Sequence, residues 1–553
     1  MLASRMVCAQ TVSPSQVTPP TLRPPPSTQP PTFVPEESPQ QERAHTLTMT
    51  VQVRYVVVTD GFAALADDTQ RLLEPYQNRR ISGDEIFALA RALEQAYARH
   101  GYVLVRVIVP PQRIADGDVL KLQVVDGFIE EVNVEGVPRR LQARVLHVLR
   151  PLVARQHLLL STIERHLLIA GNLAGLSLKS ALAPGTAQGG TRLLVGGTYR
   201  EISGTVSLDN RLDRTLGPWE LDASVAANSL FSFGEELYAD VLTSDPQRLL
   251  HTSPALQVYG GGALVPLGDA RVTLNPEYTH STTRTPATTG VPETVGVFDR
   301  VALHGSIGLR WRRRQVLKLN LTAEAINQRL ETPQFGTDLY HDQYRVARVG
   351  VNDDALSIRG THLLADITVS RGLGGRNPTA GVPGVPLSRQ GSGPDFNKLN
   401  FSVHDSQPLG SNNWRLDVIA LGQESFGSPM MRSEQFSLDG VDALSAFAAG
   451  SLTVDQGATL RAEVGRPLFN WSSRGAVVSP YALAAVGVGE LLQPTAVETR
   501  WEHASTFGAG MRATFAAPWA SSAQLGLEVA HQQANLPGIH DDWRVNVIAG
   551  LRF

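Results

Sequence analysis

The residue types that carry catalysis are present in this chain, but not at the spacings catalysis needs. None of the 14 histidines precedes a glutamate, so the H-E-x-x-H pair of zinc ligands is absent. No lysine follows a glycine, which removes the G-x-x-x-x-G-K-[ST] loop that cradles phosphates. No G-x-S-x-G turn presents a serine nucleophile. The single cysteine, Cys8, excludes intramolecular disulfides and Cys-rich metal sites. Acid pairs such as Glu235-Glu236 and Asp353-Asp354 fall at expected strand edges, where solvated or lumenal charge accounts for them. These absences point away from an enzyme, and no cofactor is implied. One stretch does look built for a task. EQFSLDGVDALSAF, Glu434 to Phe447, runs from a strand end into a long turn bearing Asp439, Gly440 and Asp442, then Leu444, Ser445, Ala446 and Phe447. It reads as a functional loop whose charged centre is missing.

Composition limits what could position such a loop. Net charge is -3 and charged residues make up 18%, so there is no basic field for nucleic acid. Lysine occurs only at 121, 179, 318 and 398, and arginine carries the rest of the basic charge. No run of about 18 apolar residues could cross a bilayer as a helix. A membrane barrel stays open, because its strands alternate and leave mean hydropathy near zero, here -0.09.

The chain divides by texture. Residues 1–12 read as the remnant of a signal peptide, with Val7-Cys8-Ala9 in the small-x-small form of a cleavage site. Residues 13–47 form a proline-rich segment, ten prolines falling between Ser13 and Gln40, expected to be an extended linker or plug. Two βααββ units follow, at 48–126 and 127–199. In the first, MTVQVRYVVV is a strand, RISGDEIFALARALEQAYARHG a helix, and YVLVRVIV and DVLKLQVVDG are strands. Its helix opens with the capping box Ser82 and Glu85, and Ser161 and Glu164 repeat that pattern in the second unit. Residues 200–553 show no convincing helix, and strand after strand alternates in polarity. LKLNLTAEA sets Leu317, Leu319, Leu321, Ala323 and Ala325 against Lys318, Asn320, Thr322 and Glu324. A soluble sandwich and a membrane barrel both alternate in this way. Tryptophans 219, 311, 414, 501 and 543 at strand ends, and a chain ending on aromatic Phe553, favour the barrel. At about 22 residues per strand and connection, its length gives about 16 antiparallel strands.

Specific segments carry a resemblance over the chain from about residue 48 onward. Gly101-Tyr102 with PPQ and DGDVLKLQVVDG, SLDNRLDRTLGPWE followed by NSLFSFGEEL, GGALVPLG, and GQESFGSPMMRSEQFSLDG together resemble the outer-membrane transporters of two-partner secretion, the TpsB family typified by ShlB, FhaC and HecB. The resemblance implies two periplasmic POTRA domains and a transmembrane barrel in the outer membrane of a Gram-negative bacterium. It also implies secretion of one large exoprotein, an adhesin or haemolysin with an N-terminal secretion domain. Outer-membrane lipid and the barrel-assembly machinery are the other expected partners, with Phe553 as the C-terminal assembly signal. An assembly factor of the BamA or TamA type is the competing reading. Substrate is expected to add a strand to the first POTRA edge at Tyr102, Val103, Leu104, Val105, Arg106 and Val107, although that strand could equally be a core strand.

The same resemblance sharpens the question about the loop. The family usually carries V-R-G-F or V-R-G-Y where this chain has Leu444, Ser445, Ala446 and Phe447, and an aspartate on the barrel wall where it has Ala485. Losing both partners is coherent, since removing one member of a buried pair strands the other at a cost of about 3 to 5 kcal/mol. The expectation is a loop still lodged in the pore, held by Phe447 packing and by Asp439 or Asp442 against lumenal arginines. The alternative is an inactive or differently gated barrel.

Overall fold

A computed structural model describes residues 12–23, 32–34, 50–246, 254–288, 291–378, 384–410, 412–471, 475–517 and 520–553. The signal-peptide reading on residues 1–12 falls almost entirely outside them. In the first α+β unit, β2 (Thr50–Thr59) is followed by α2 (Ala66–Leu73), β3 (Arg79–Ser82), α3 (Gly83–Arg99), β4 (Arg106–Ile108) and β5 (Asp118–Val125). The sheet order is β3-β2-β5-β4, with β2 and β5 parallel. Helical spacing puts Leu89, Leu93 and Tyr97 of α3 into the core. The Ser82–Glu85 capping box forms in both directions, at 3.3 and 2.8 Å. Gly101 ends the helix at φ +92°, a conformation open to glycine.

The second unit repeats the topology. β6 (Phe128–Glu135), α4 (Arg139–Leu149), α5 (Leu160–Gly171), β7 (Leu176–Pro184) and β8 (Gly190–Tyr199) give the order β7-β8-β6, with β6 and β8 parallel. The expected second capping box is not there. α5 starts before Ser161, with Leu159 at its N-cap and no side-chain cap, and the amide of Leu160 donates to Gly101 O of the first unit at 2.8 Å. The neighbouring unit thus supplies the acceptor for the first amide of a helix that begins one residue before the expected cap.

YVLVRVIV is also shorter as a strand than its alternation suggests, because only Arg106–Ile108 pairs. Leu104 and Val103 turn into the core of the second unit, and that core continues to Ala270 and Trp311 of the barrel. Trp311 is therefore a packed joint between barrel and second unit rather than an interfacial anchor. Trp219, Trp414, Trp501 and Trp543 are exposed at strand starts, as expected of a girdle.

From Ile202–Asp209 to Asp542–Arg552, sixteen antiparallel strands close a barrel, with a short Phe469–Trp471 piece beside one of them. The last strand pairs with the first over Ile548↔Asp209 to Arg552↔Thr205. Phe553 extends this seam, exchanging two backbone bonds with Gly204 at 3.1 and 3.2 Å. Outward residues are apolar, as at Leu321, Leu525, Leu527 and Val545. Inward ones such as Gln328, Arg461, Glu463, Glu528 and Asn546 are polar and buried. A soluble sandwich would bury the apolar face instead.

Candidate functional site: two segments lodged in the barrel lumen

The stretch from Ser425 to Asp455 connects strands Trp414–Glu424 and Gln456–Gly465 at the rim away from the α+β units, then folds back into the lumen. Its neck is a two-residue ladder, Phe436–Ser437 against Thr453–Val454. Beyond the neck, Leu438, Leu444, Phe447 and Leu452 are buried against Ala485 and Ala504 of the wall. Ala485 thus packs against the loop without a charge. The Asp439 carboxylate accepts the loop's own amides of Gly450 and Leu452 at 3.1 and 2.8 Å, and Asp442 lies exposed. Neither makes the expected hydrogen bond or contact ion pair with a lumenal arginine among the described residues; Asp442 acts on Arg211 and Asp439 on Arg544 through charge at longer range. Phe447 is buried as expected, and Ser445 reaches the wall.

The charged centre is present, and its cation stands on the wall. Arg461, fully buried on strand Gln456–Gly465, donates Nη1 to the Ser445 hydroxyl at 2.7 Å and to Ala443 O at 3.2 Å. Its remaining nitrogens reach Glu463 at 2.7 Å and Glu528 at 2.9 Å. Ser445 in turn donates to Glu528 at 2.5 Å, and Asn546 donates to Ser445 O at 2.8 Å. Arg512 closes the set with a two-pronged bond to Glu463 at 2.6 and 2.9 Å, and Tyr481 donates to Glu528 at 2.9 Å. Arg461 is the direct cross-strand neighbour of Ala485. The missing arginine and the missing aspartate are therefore bordered by an arginine that sequence reading passed over.

The loop base is anchored by charge. Glu434, fully buried in the single turn Arg432–Glu434, takes both arms of Arg348 at 2.8 and 3.1 Å and Lys398 at 2.8 Å. Tyr344 donates to it at 2.8 Å, and Arg348 also pairs with Glu324 at 2.8 Å. Burial alone would raise the Glu434 carboxyl, but Arg348 and Lys398 outweigh it and hold the group down at about 2. Glu434 stood at the start of the stretch singled out by sequence. Its partners, spread over two strands far from it in sequence, carried no local signal.

A second segment shares the lumen. Residues 12–23, including the short helix α1 (Pro14–Val17), run along the wall inside the barrel. Ser13 shares a hydrogen bond with Tyr340 at 2.8 Å, and Gln16 donates to Thr453 of the loop neck at 3.0 Å. Further along, Thr21 donates to Glu277 at 2.8 Å, Arg300 donates to Pro19 O at 3.1 Å, and Arg23 pairs with Glu236 at 3.0 Å. Leu22 is buried among Leu212, Tyr238, Leu256 and Val258. Between this segment, the wall and Glu434 lies a polar cavity of 650 Å³. Past it, β1 (Thr32–Val34) adds in parallel to the β7 edge of the second unit, Thr32↔Lys179 to Val34↔Ala181.

The corresponding edge of the first unit, β4, carries no such strand among the described residues. Arg106 is exposed there, while Val105 and Val107 are buried. The outward amide of Val107 is taken by Glu94 of α3 at 2.8 Å, and that of Val105 by Tyr102 O at 3.4 Å. Sequence alternation could not have shown that a carboxylate covers this edge.

Comparison with known proteins places the geometry in a family. The family described as "POTRA domain, ShlB-type" matches residues 51–127. The one described as "Haemolysin secretion/activation protein ShlB/FhaC/HecB" matches residues 191–513, more than half of the chain. The outer membrane transporter CdiB of Escherichia coli is 23% identical over 516 residues, 89% of this chain and 79% of CdiB. The heme/hemopexin transporter protein HuxB of Haemophilus influenzae is 25% identical over 187 residues; the match spans 34% of this chain and only 33% of HuxB. The solved structure of Escherichia coli CdiB superposes with a TM-score of 0.67 at 17% identity, covering 98% of this chain and 94% of that one. With a closed sixteen-strand barrel behind α+β units, this chain belongs to the haemolysin secretion/activation family ShlB/FhaC/HecB, the outer-membrane transporters of two-partner secretion.

Proposed function

We propose that this chain secretes one large exoprotein through its barrel, the exoprotein being recognised in the periplasm by the two α+β units, both read as POTRA domains. The observation that carries this reading is the lumen itself. It is polar, and among the described residues two segments, 12–23 and 425–455, lie in it, held by side-chain contacts rather than as strands of the barrel. A pore filled in this way opens when those contacts exchange, without breaking the barrel. The assembly-factor reading shares the barrel but gains no observation of its own.

Recognition by strand addition has a precedent within the molecule. β1 lies on the β7 edge in extended form, and β4 is the equivalent position of the first unit. An incoming exoprotein strand would replace Glu94 at the Val107 amide, with Arg106 exposed beside it.

Deleting the gene in its own bacterium should remove one very large protein from the culture medium or cell surface, and re-expression should restore it. An unchanged profile of exported proteins would contradict secretion. Restoration with Val107→Pro tests recognition: proline removes the outward donor and leaves the pairing with β5. Secretion should fall while the folded protein level holds. Undiminished secretion would exclude β4 as the docking edge.

A further inference from the structure

We infer that Arg461 is the positioning residue that seats the loop tip, and that this chain has transposed the seating cation from loop to wall so that Ala443 to Phe447 leave their seat carrying no charge. The cluster around the tip contains four charges, all on barrel strands: Arg461 and Arg512 positive, Glu463 and Glu528 negative. They balance to zero without the loop. Among Ala443 to Phe447 no side chain is charged. The loop offers only a hydroxyl and two carbonyls, Ser445 Oγ, Ser445 O and Ala443 O, to Arg461, Glu528 and Asn546. When the tip withdraws, Arg461 keeps both carboxylates, Glu528 keeps Tyr481, and water entering the lumen replaces a serine hydroxyl. No contact ion pair is pulled apart; Asp439 and Asp442, outside the seated residues, act on Arg544 and Arg211 only at longer range. Were the guanidinium on the loop, every withdrawal would carry a cation away from Glu463 and Glu528, leaving two buried carboxylates to share Arg512.

The inference rests on the secretion reading only in taking tip withdrawal to be useful; the withdrawal itself is measurable without any exoprotein. The full chain is purified with Cys8→Ser and Ala446→Cys, since Ala446 is fully buried in the tip and small. Its rate of reaction with a bulky maleimide reports how often the tip is out. Because withdrawal breaks no contact ion pair, and leaves only the longer-range attraction of Asp442 to Arg211 and Asp439 to Arg544 for salt to screen, that rate should change by less than about twofold between low salt and about 1 M salt. Acceleration of about tenfold or more by salt would overturn the inference, and this arm needs no disruptive variant. The second arm moves the cation back. Arg461→Ser and Ser445→Arg singly should each lower the yield of heat-modifiable barrel. Combined, they should recover it, while labelling at position 446 becomes about tenfold slower and salt-dependent. A double variant no better than the poorer single one, or one that labels like the parent at every salt concentration, would show that Arg461 serves only the wall.

Discussion

At the base of the lumenal loop, Arg348, Lys398 and Glu324 leave the wall one positive charge in excess until Glu434 arrives from the loop. At the tip, Arg461, Arg512, Glu463 and Glu528 balance with nothing from the loop. One loop is thus held in two ways within one lumen. An ion pair that crosses the boundary makes departure costly, because both partners lose their counter-charge in a poorly hydrated space. A neutral contact across the boundary sets direction and register but lets go with the loss of ordinary hydrogen bonds. On the reading proposed above, the base is the root that stays and the tip the part that exchanges.

The largest effect should come from the root. Glu434→Leu leaves Lys398 without a carboxylate and Arg348 with Glu324 alone, so barrel stability should fall by about 3 to 5 kcal/mol. A urea or thermal unfolding midpoint in detergent measures this, and a loss under about 1 kcal/mol would erase the difference between root and tip. Next, Arg461→Met leaves Glu463 to Arg512 and Glu528 to Tyr481 and Asn546. It should cost about 3 kcal/mol, with the tip labelled faster by the same maleimide assay. Ser445→Ala removes only the neutral link. Stability should fall by about 1 kcal/mol while tip labelling rises several-fold, separating seating from folding.

Acidity gives the smallest effect near neutrality. The Glu434 carboxyl sits at about 2 against an ordinary 4.5, so its contribution is complete above 4.5 and is lost as pH falls from there toward 2. Reaction of a thiol placed at buried Met431 should stay slow from neutral pH down to that range and then rise. Opening of the root well above pH 4.5 would mean that the pair with Arg348 and Lys398 is not what holds it.

Legibility in the sequence followed how local each determinant is. The Ser82–Glu85 box, the face of Leu89, Leu93 and Tyr97, and the alternation around Leu321 are each written within one element, and each appears in the structure. Where a partner comes from elsewhere, local reading failed. Ser161 resembled a cap, but Gly101 of the neighbouring unit satisfies that helix. Trp311 resembled an interfacial anchor, but the second unit covers it. At the candidate site, the Leu444–Phe447 departure from the family pattern falls in a segment that packs against the barrel wall. The compensation did not lie at Ala485, where a counter-charge was sought, but one strand away at Arg461. A trace of it stands in TLRAEV, where Arg461 and Glu463 share the face opposite Leu460 and Val464. Nothing in one sequence says which strand lies beside which, so that trace gains meaning only with the register Arg461↔Ala485.

Secretion by the proposed route requires the loop tip to leave the lumen. Gly487 faces Leu444 closely enough that a Cβ on it would stand 3.0 Å from the leucine side chain. In the Cys8→Ser background, Leu444→Cys and Gly487→Cys can therefore be joined by a short reducible dithiol crosslinker, pinning tip to wall. Export of the large protein lost on gene deletion should stop in crosslinked cells and resume on reduction, with each single-cysteine chain unaffected. Export that continues at the same rate with the tip pinned would contradict the account.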